Sequence, residues 1–401
     1  MNLNDTPSAN RVHIGIFGKR NVGKSSIINA ITNQDIAIVS DIKGTTTDPV
    51  YKAMEILPIG PVTLIDTPGL DDEGELGLKR IKKSFDVLNK SDIAIIVIDA
   101  KKALDDYELK IIDKCKDKNI PVILVINKTD CCKTIIDKSS LPIDYLAIEV
   151  SAKTGKNIDK LKELIVSCKN QDTEKHPLVC DLISKLDIVI LVTPIDSSAP
   201  KGRLILPVQQ VTRDILDSNA IAITCQENEL KKTIYSLKKR PALVITDSQV
   251  FEGVGRTISE DIPLTSFSIL FARYNGILDI AIKGVQAIKK LAPSDKVLIS
   301  EGCTHHRQCN DIGAVKLPQW INSYLGFKPQ FEFTSGLSFP EDLSSYKLVI
   351  HCGGCMLTSR EVQRRFKECK FKNIPITNYG ILIASLKGVL DRSTGIFNCK
   401  K

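Results

Sequence analysis

Residues 12–25 read VHIGIFGKRNVGKS, an apolar run followed by a glycine-containing segment. From Gly18 to Ser25 the segment matches the pattern GxxxxGK[ST], whose backbone N–H groups surround a phosphate. In such a loop Lys24 neutralises phosphate oxygens, and the hydroxyl of Ser25 binds Mg²⁺. The motif lies between a predicted strand, Val12–Phe17, and a predicted helix, Ser25–Thr32, which is the context that it requires. The predicted nucleotide contacts are Gly18, Asn21, Val22, Gly23, Lys24, Ser25 and Ser26.

A second motif follows the apolar run Val62–Ile65 and reads Asp66-Thr67-Pro68-Gly69. A carboxylate in this place can hold the water shell of Mg²⁺, and the Gly69 amide can sense a γ-phosphate. We therefore predict Asp66 and Gly69 as catalytic groups beside Lys24.

Two further motifs predict that the base is guanine. The segment Asn127-Lys128-Thr129-Asp130 ends the predicted strand Val122–Ile126, and the segment Ser151-Ala152-Lys153 follows another short strand. The Asp130 carboxylate can accept two N–H bonds from guanine, which adenine does not offer in the same pattern. Four motifs in this order and spacing indicate a GTP site rather than a series of structural turns.

The distribution of apolar residues predicts an α/β chain. Ile/Val-rich runs alternate with Lys-rich amphipathic segments over residues 11–170, as in a parallel sheet covered on both faces. The alternation returns on a smaller scale after a polar segment at residues 171–176. The predicted domains are residues 1–170, 177–260 and 263–401. Their later strands are predicted at Ile188–Val192, Ala220–Thr224, Ala242–Ile245, Lys296–Ser300, Lys347–His351 and Ile374–Thr377.

Composition limits the functional classes. Residues 1–10 lack the apolar core of a signal peptide, and no apolar run has the roughly 18 residues that span a bilayer, so we expect a cytoplasmic protein without a membrane partner. The formal charge of +8 is mild for 401 residues and does not require nucleic acid. Clustered cysteines among the twelve are then more typical of metal ligands or reactive thiols than of disulfides.

Two cysteine and histidine clusters lie in the last third of the chain. Cys303-Thr304-His305-His306 follows one predicted strand, and His351-Cys352-Gly353-Gly354-Cys355 follows or ends another. Open parallel sheets gather ligand groups at the carboxyl ends of their strands. If these two strands are neighbours, three sulfurs can face one metal centre. Zinc with a histidine as fourth ligand and an iron–sulfur cluster both fit this donor set, and unliganded buried thiols are a third reading.

Residues 11–170 resemble a translation-factor-class GTPase of the tRNA-modification and ribosome-assembly branch. The resemblance implies a P-loop GTPase fold and a first switch at Gly44-Thr45-Thr46, in which Thr46 closes on Mg²⁺ and the γ-phosphate. Thr46 is therefore both a predicted metal ligand and a predicted catalytic residue. The chain departs from the branch at Thr47, where arginine is common.

The same resemblance bears on the rate of GTP hydrolysis. Leu70 stands where Ras-like enzymes carry the glutamine that orients water, so hydrolysis is expected to be slow. In the branch that the chain resembles, an asparagine at the position of Asn21 helps to bind K⁺ beside the phosphates. We expect K⁺ to stimulate hydrolysis here, with a solvated loop residue as the alternative reading of Asn21.

The whole chain resembles the GTPase maturases of iron-iron hydrogenase, the HydF family. The resemblance rests on the domain order and on the pattern C-x-H…H-C-x-x-C at residues 303–305 and 351–355. It implies a 4Fe-4S cluster on Cys303, Cys352 and Cys355, and a middle domain that forms a homodimer. His305 and His351 match the family's histidines, as a fourth ligand or as support for the cluster. Asp311 is another conceivable ligand, and Cys309 a possible substitute.

The expected function is that of a GTP-hydrolysing carrier. The resemblance implies that the cluster region receives a di-iron precursor from radical-enzyme maturases and delivers it to apo iron-iron hydrogenase. The rival function is an RNA- or ribosome-directed GTPase with a structural zinc. The rival predicts a colourless protein with one zinc and RNA binding that weakens steeply with salt.

Overall fold

The computed structural model describes residues 11–32, 49–68, 75–131, 146–170, 176–195, 204–302, 312–336, 338–340, 342–354 and 357–397. The chain divides into two compact units between residues 173 and 174. That division falls inside the polar segment at residues 171–176, ahead of Pro177. Both later predicted domains lie in the second unit.

The first unit is built on a six-stranded sheet in the order β2-β3-β1-β4-β5-β6. All neighbouring strands are parallel except the pair β2 and β3, which is antiparallel. The Ile/Val-rich runs form the central strands because every residue of β1 and β5 is buried. The strands are β1 (Val12–Phe17), β2 (Val50–Ile56), β3 (Gly60–Asp66), β4 (Ile93–Asp99), β5 (Val122–Asn127) and β6 (Leu146–Glu149).

Helices cover both faces of this sheet. They are α1 (Lys24–Thr32), α2 (Glu75–Lys90), α3 (Asp106–Asp117) and α4 (Ile158–Asn170). One apolar core joins α1 and α4 to the sheet through residues such as Ile28 and Leu161. A second core joins α2 and α3 to the opposite face through Leu88 and Ile111. The result is a three-layer α/β/α unit whose motif-bearing loops follow the carboxyl ends of β1, β3, β5 and β6.

The second unit contains two modules that share one topology. The first module has β7 (Ile188–Val192), α5 (Leu206–Asp217), β8 (Ile221–Cys225), α6 (Leu230–Ser236), β9 (Leu243–Thr246), α7 (Phe251–Thr257), β10 (Leu264–Ser266) and α8 (Phe267–Tyr274). The second module has β11 (Lys296–Glu301), α10 (Leu317–Leu325), β12 (Gln330–Ser335), β13 (Tyr346–His351), α11 (Ser359–Phe371), β14 (Ile376–Asn378) and α12 (Tyr379–Leu386). Their parallel sheets have the orders β10-β9-β7-β8 and β12-β11-β13-β14, which are the same arrangement. Helices α9 (Leu278–Val285) and α13 (Leu390–Gly395) follow the first and the second module.

The shared topology is matched by a repeat in the sequence. Residues 263–279 read PLTSFSILFARYNGILD, and residues 375–391 read PITNYGILIASLKGVLD. The same backbone bonds recur, because Pro263 O accepts from Val244 N and Pro375 O accepts from Val349 N, each at 2.9 Å. The helix that follows is capped by the Ser266 hydroxyl in the first module and by the Asn378 amide oxygen in the second. The modules are therefore two versions of one structural unit.

The predicted α/β fold class with a parallel GTPase sheet is confirmed. Most predicted strands lie within two residues of the observed ones. Three strands, β2, β10 and β12, were not predicted from the sequence. No helix in the described part of the chain is long and apolar enough to cross a bilayer.

Candidate functional site: a nucleotide pocket and a cysteine site

The loop after β1 has a backbone that only glycine accommodates at two positions. Gly18 has a φ of 143°, and a Cβ atom on it would overlap the carbonyl oxygen of Val97. Gly23 has a φ of 95°, and a Cβ atom there would overlap the side-chain amide of Asn127. These φ values, together with the lack of room for a Cβ atom, favour glycine at both positions and allow the tight turn before α1. Val22 between them is buried, whereas Ser26 on α1 is half-buried.

Lys24 is buried and lies against the inside of this loop. Its Nζ donates to the carbonyl oxygens of Gly18 at 3.0 Å and Lys19 at 2.8 Å. The ammonium is thus held at the loop, where it can move to a phosphate without crossing the protein. This position fits the predicted role of neutralising phosphate charge.

Ser25 and Asp66 form the predicted Mg²⁺ pair. The Ser25 hydroxyl donates to Asp66 Oδ2 at 2.6 Å, which joins the start of α1 to the end of β3. The other carboxylate oxygen, Asp66 Oδ1, is buried without a hydrogen-bond partner. Burial raises the pKa of this carboxyl, and Ser25 and Lys24 lower it by less. A hard oxygen-ligated cation with its water shell fits a buried carboxylate that has one oxygen unused.

The base-binding motifs meet at the ends of β5 and β6. Asn127 is buried and braces two loops, since its Nδ2 donates to Val22 O at 3.0 Å and its Oδ1 accepts from Ala152 N at 3.1 Å. Asp130 accepts from the Ser151 hydroxyl at 2.7 Å, which lowers the pKa of its carboxyl. Asp130 is therefore an oriented and ionised acceptor for guanine N–H groups, while Lys153 is exposed at the rim.

Lys128 links the base pocket to the phosphate loop. Its Nζ donates to Asn21 O at 2.5 Å and to Asp99 Oδ2 at 2.8 Å. Asn21, within the phosphate loop, has a φ of 60° and is exposed. The sequence motifs did not identify Asp99, although its position directly after an apolar run is a usable signal for a residue at the ligand-binding edge.

The two remaining predicted nucleotide residues, Thr46 and Gly69, lie outside the described residues. Their roles in closing on Mg²⁺ and the γ-phosphate stay predictions.

The two cysteine clusters belong to neighbouring strands. β11 and β13 pair in parallel, with Ser300 opposite His351, and Cys352 N donates to Ser300 O at 2.9 Å. From β11 the chain continues to β12 on one side of the sheet, and from β13 it continues to β14 on the other side. The strand order therefore reverses between β11 and β13. Open α/β sheets bind ligands in the crevice at this point. The sequence predicts a shared metal centre only if these two strands are neighbours, and they are.

Two backbone N–H groups point at the Cys352 sulfur. Gly302 N donates to Cys352 Sγ at 2.9 Å, and Gly354 N donates to it at 3.3 Å. A Cβ atom on Gly302 would lie 2.7 Å from Leu357 Cγ and 3.3 Å from the sulfur, so only glycine lets β11 approach this closely. N–H donors stabilise a sulfur that carries negative charge, as a metal-bound thiolate does.

His351 is completely buried and is hydrogen-bonded through both ring nitrogens. Nδ1 lies 2.7 Å from Cys352 O, and Nε2 lies 3.4 Å from Nη1 of Arg365. A carbonyl accepts and a guanidinium donates, so the ring is neutral with its proton on Nδ1. Burial, and then the Arg365 charge, lower the pKa of His351 to about 4. Both ring nitrogens of His351 are thus engaged within the protein, and its predicted role at the cysteine site stays a prediction.

The other predicted members of this centre, Cys303, His305 and Cys355, lie outside the described residues, as do Asp311 and Cys309. Over the described ranges, no group of three His, Cys, Asp or Glu side chains is placed to hold a metal ion. Only Cys352 of the three predicted cysteines is in those ranges.

The sequence motifs missed Arg365 and Glu361 on α11. Both are buried, at 0% and 2% exposure, and Arg365 Nε donates to Glu361 Oε1 at 2.8 Å. Their helix reads SREVQRRFKECKF, whose charge density is typical of a solvated face. No motif marks these two residues, and only the i, i+4 spacing of opposite charges is suggestive.

Three family models match successive parts of the chain. Residues 13–128 match the 50S ribosome-binding GTPase model, residues 178–276 the hydrogen maturase F dimerization domain, and residues 279–396 the hydrogen maturase F tetramerization domain. The N-terminal domain is thus a GTP-binding GTPase domain.

Individual relatives resemble the N-terminal region. The tRNA modification GTPase MnmE of Desulforamulus reducens is 41% identical over 154 residues, which is 37% of this chain and 33% of that protein. GTPase Der of Mycoplasmopsis pulmonis is 34% identical over 200 residues, 46% of each chain. The chain thus spans between a third and a half of the length of these two curated relatives.

Among solved structures, Era of Aquifex aeolicus bound to GDP and AlF4⁻ is 20% identical, with a TM-score of 0.35 over 53% of this chain and 91% of that chain. The two maturase models between them account for more than half of the 401 residues, and they follow a GTPase domain in which the phosphate-loop and guanine residues of the described part are assembled. The chain therefore belongs to the hydrogen maturase F family.

Proposed function

We propose that this protein is a GTP-hydrolysing carrier that holds a 4Fe-4S cluster and delivers a di-iron precursor to apo iron-iron hydrogenase. The observation that carries the proposal is the Cys352 sulfur, which accepts N–H bonds from Gly302 and Gly354. Gly302 directly precedes Cys303 in sequence, the first residue of the other predicted cysteine and histidine cluster. The same chain contains a guanine-nucleotide pocket.

In the GTP site, the chain's residues bind and orient the nucleotide. The loop from Gly18 to Ser25 surrounds the phosphates, and Lys24 moves from the loop carbonyls to the phosphate oxygens. Ser25 and Asp66 would hold Mg²⁺, which neutralises charge that develops on the phosphates. Asp130 selects guanine, while Asn127 keeps the phosphate loop and the base loop in register.

Leu70 stands where Ras-like enzymes carry the glutamine that orients water. We propose that K⁺, bound with help from the exposed Asn21, supplies positive charge at the phosphates. The backbone carbonyl of Asn21 accepts from Lys128, and we propose its side-chain amide oxygen as the ligand of K⁺. Thr46 and Gly69 complete the proposed site at Mg²⁺ and the γ-phosphate.

In the cysteine site, Cys303, Cys352 and Cys355 would hold the cluster through three thiolates. Three cysteines leave one iron available to an exchangeable ligand, which suits a carrier. Because His351 is buried and bonded at both nitrogens, we assign it a supporting role. His305 remains the histidine proposed as fourth ligand.

The proposed partners follow from the family. Radical-enzyme maturases would supply the di-iron precursor, and apo-hydrogenase would receive it. The names of the two matched maturase models support self-association of this chain, with residues 178–276 as the proposed dimerisation region and residues 279–396 contributing to a larger assembly. The three-domain division at residues 1–170, 177–260 and 263–401 is part of the same proposal.

Activation of apo-hydrogenase tests the delivery step. The protein, loaded with precursor by the upstream maturases, is mixed with apo-hydrogenase, and hydrogen evolution is measured. We expect Cys352→Ser to lose at least about nine-tenths of the activation, because a hydroxyl is a poor iron ligand. The matched control is Cys180→Ser, which replaces an exposed cysteine in the same unit. Full activation by the Cys352 variant would contradict the proposal.

A further inference from the structure

Arg365 makes an unusual set of contacts for an arginine. It is completely buried on α11, with its guanidinium 5.0 Å from the Phe339 ring. All three guanidinium nitrogens have partners in the protein. Nε donates to Glu361 Oε1 at 2.8 Å, Nη1 to Ser300 Oγ at 3.2 Å and His351 Nε2 at 3.4 Å, and Nη2 to Gly336 O at 2.8 Å.

These partners lie at the ends of three adjacent strands. Ser300 is the penultimate residue of β11, Gly336 directly follows β12, and His351 ends β13. The strands are neighbours in the order β12-β11-β13. One rigid, planar group therefore ties together three strands at the edge from which the cysteine loops emerge.

The ties continue to the Cys352 sulfur. His351 Nδ1 bonds to Cys352 O at 2.7 Å, and Cys352 N donates to Ser300 O at 2.9 Å. Ser300 and His351, which make these two bonds to Cys352, are direct partners of Arg365. The guanidinium therefore constrains the residues that set where Cys352 points and how far it lies from the Gly302 N–H.

The first module shows that the fold itself does not need this arginine. By strand register, Val192 pairs with Thr246 there as Ser300 pairs with His351 in the second module. The residue after Thr246 is Asp247, so this copy has neither the histidine nor the cysteine. The arginine of α7, Arg256, has a side chain that is 79% exposed and pairs with Glu252.

Burial of a charged pair is also a poor way to stabilise a fold. Removing a guanidinium and a carboxylate from water costs free energy that their attraction repays only in part. The buried pair of Arg365 and Glu361 has no buried counterpart at Arg256 of the first module. Because it occurs beside Cys352, we infer that it serves the cysteine site rather than the fold. Orienting a ligand through its hydrogen-bonded neighbours is the established use of such groups at metal centres.

We propose that Arg365 is the positioning residue of the cysteine site. It holds Ser300 and His351, and through them it fixes the Cys352 sulfur against the Gly302 N–H. It also keeps His351 in its supporting position. This inference rests on the proposed cluster-binding function.

The test is Arg365→Lys, which keeps the charge but loses the planar fork. The matched control is Arg364→Lys, because Arg364 pairs with the same Glu361 and with Glu368 but is partly exposed. The first readout uses the apo-protein and measures the rate at which iodoacetamide alkylates Cys352, by mass spectrometry of the cysteine peptide. The second readout is the electron paramagnetic resonance spectrum of the reduced, reconstituted protein.

We expect Arg365→Lys to change the Cys352 alkylation rate at least about fivefold and to alter or broaden the cluster spectrum, while Arg364→Lys matches the wild type. If Arg365→Lys does not fold, Ser300→Ala removes one tie and leaves the Glu361 pair intact. It should shift both readouts in the same direction by a smaller factor.

Wild-type alkylation and spectra in a folded Arg365→Lys protein, or in Ser300→Ala where the former does not fold, would overturn the positioning role. That result differs from failure of the proposed function, in which the wild-type protein takes up no cluster. The alkylation readout tests the apo-protein in either case.

Discussion

In the proposed nucleotide site, two side chains, Asp130 and Asn127, form the base pocket. Asp130 is ionised and held by the Ser151 hydroxyl, while Asn127 joins Val22 to Ala152 across the pocket. Both oxygens of Asp130 are acceptors, which matches the two N–H donors on one edge of guanine. In the proposed site, the specificity for guanine is a property of this one carboxylate, whose orientation is fixed by its neighbours.

The variant Asp130→Asn tests whether this carboxylate selects guanine. An amide replaces one acceptor with a donor, so GDP affinity should fall about 100-fold, while xanthosine diphosphate, which offers a carbonyl at that edge, should gain affinity. Fluorescent-nucleotide titration measures both. Asp159→Asn, at an exposed position on α4, should leave both affinities unchanged. A variant that still prefers GDP would rule out Asp130 as the base reader.

The proposed K⁺ site is also a single-residue question. We expect wild-type GTP hydrolysis to be at least about tenfold faster in K⁺ than in Na⁺, since a bound cation stabilises the charge that develops on the phosphates. Asn21→Gly should abolish the difference, and glycine tolerates the φ of 60° at this position. Asn119→Gly, at a position with a φ of 51°, is the control. Equal wild-type rates in the two salts would refute K⁺ stimulation.

At the scale of elements, the sequence predicted what depends on continuous burial. Val12–Phe17, which is fully buried, and Ile188–Val192, which is buried except at Ile188, have the predicted bounds. Strand β2 was missed because it alternates exposed and half-buried residues at a sheet edge, and β12 because it is a largely polar edge strand. Edge strands are defined by pairing with a distant partner, and local sequence does not record that pairing.

The candidate sites likewise contain residues that local sequence predicted and residues that it did not. Each phosphate or guanine motif is a contiguous segment, so the sequence alone predicted these motifs. Arg365 acts on Ser300 and Gly336, which are far away in sequence and come close only when β11, β12 and β13 align. The two segments of the internal repeat take equivalent places through the pairing of β10 with β9 and of β14 with β13. Contacts made by folding are the part that sequence patterns could not supply.

The tight approach of β11 to the cysteine loop gives a prediction at this scale. Gly302→Ala places a Cβ atom 2.8 Å from Leu357 Cδ1 and 3.3 Å from Cys352 Sγ. Overpacking of this kind should destabilise the second unit by about 1–3 kcal/mol and reduce iron uptake. The control is Gly353→Ala, where a Cβ atom meets nothing within 4 Å. Urea unfolding and iron analysis report the two effects, and equal behaviour of the two variants would contradict the close approach.

At the scale of the whole molecule, the chain consists of two compact units with separate cores. The nucleotide residues lie in one unit and the cysteine residues in the other. Any influence of GTP on the cysteine site therefore needs an element with two states that both ligands bias. The predicted switch residues Thr46 and Gly69 are the proposed origin of such an influence.

Calorimetry tests the division into units. We expect two thermal transitions, because each unit has its own core. GDP with Mg²⁺ at about 100 times the dissociation constant should stabilise one unit by about 2.7 kcal/mol, which raises that transition by about 5–10 °C and leaves the other in place. Asp130→Asn should remove the shift. A single transition that moves as a whole with nucleotide would show that the units unfold together.

The proposed function requires an iron–sulfur cluster on cysteines that follow β11 and β13 in sequence. The most direct measurement is the content of iron, acid-labile sulfide and zinc in the protein after anaerobic reconstitution, determined on one sample. We predict about four iron and four sulfide per chain, without zinc, and a brown colour. One zinc per chain in a colourless protein, with neither iron nor sulfide retained, would contradict the account.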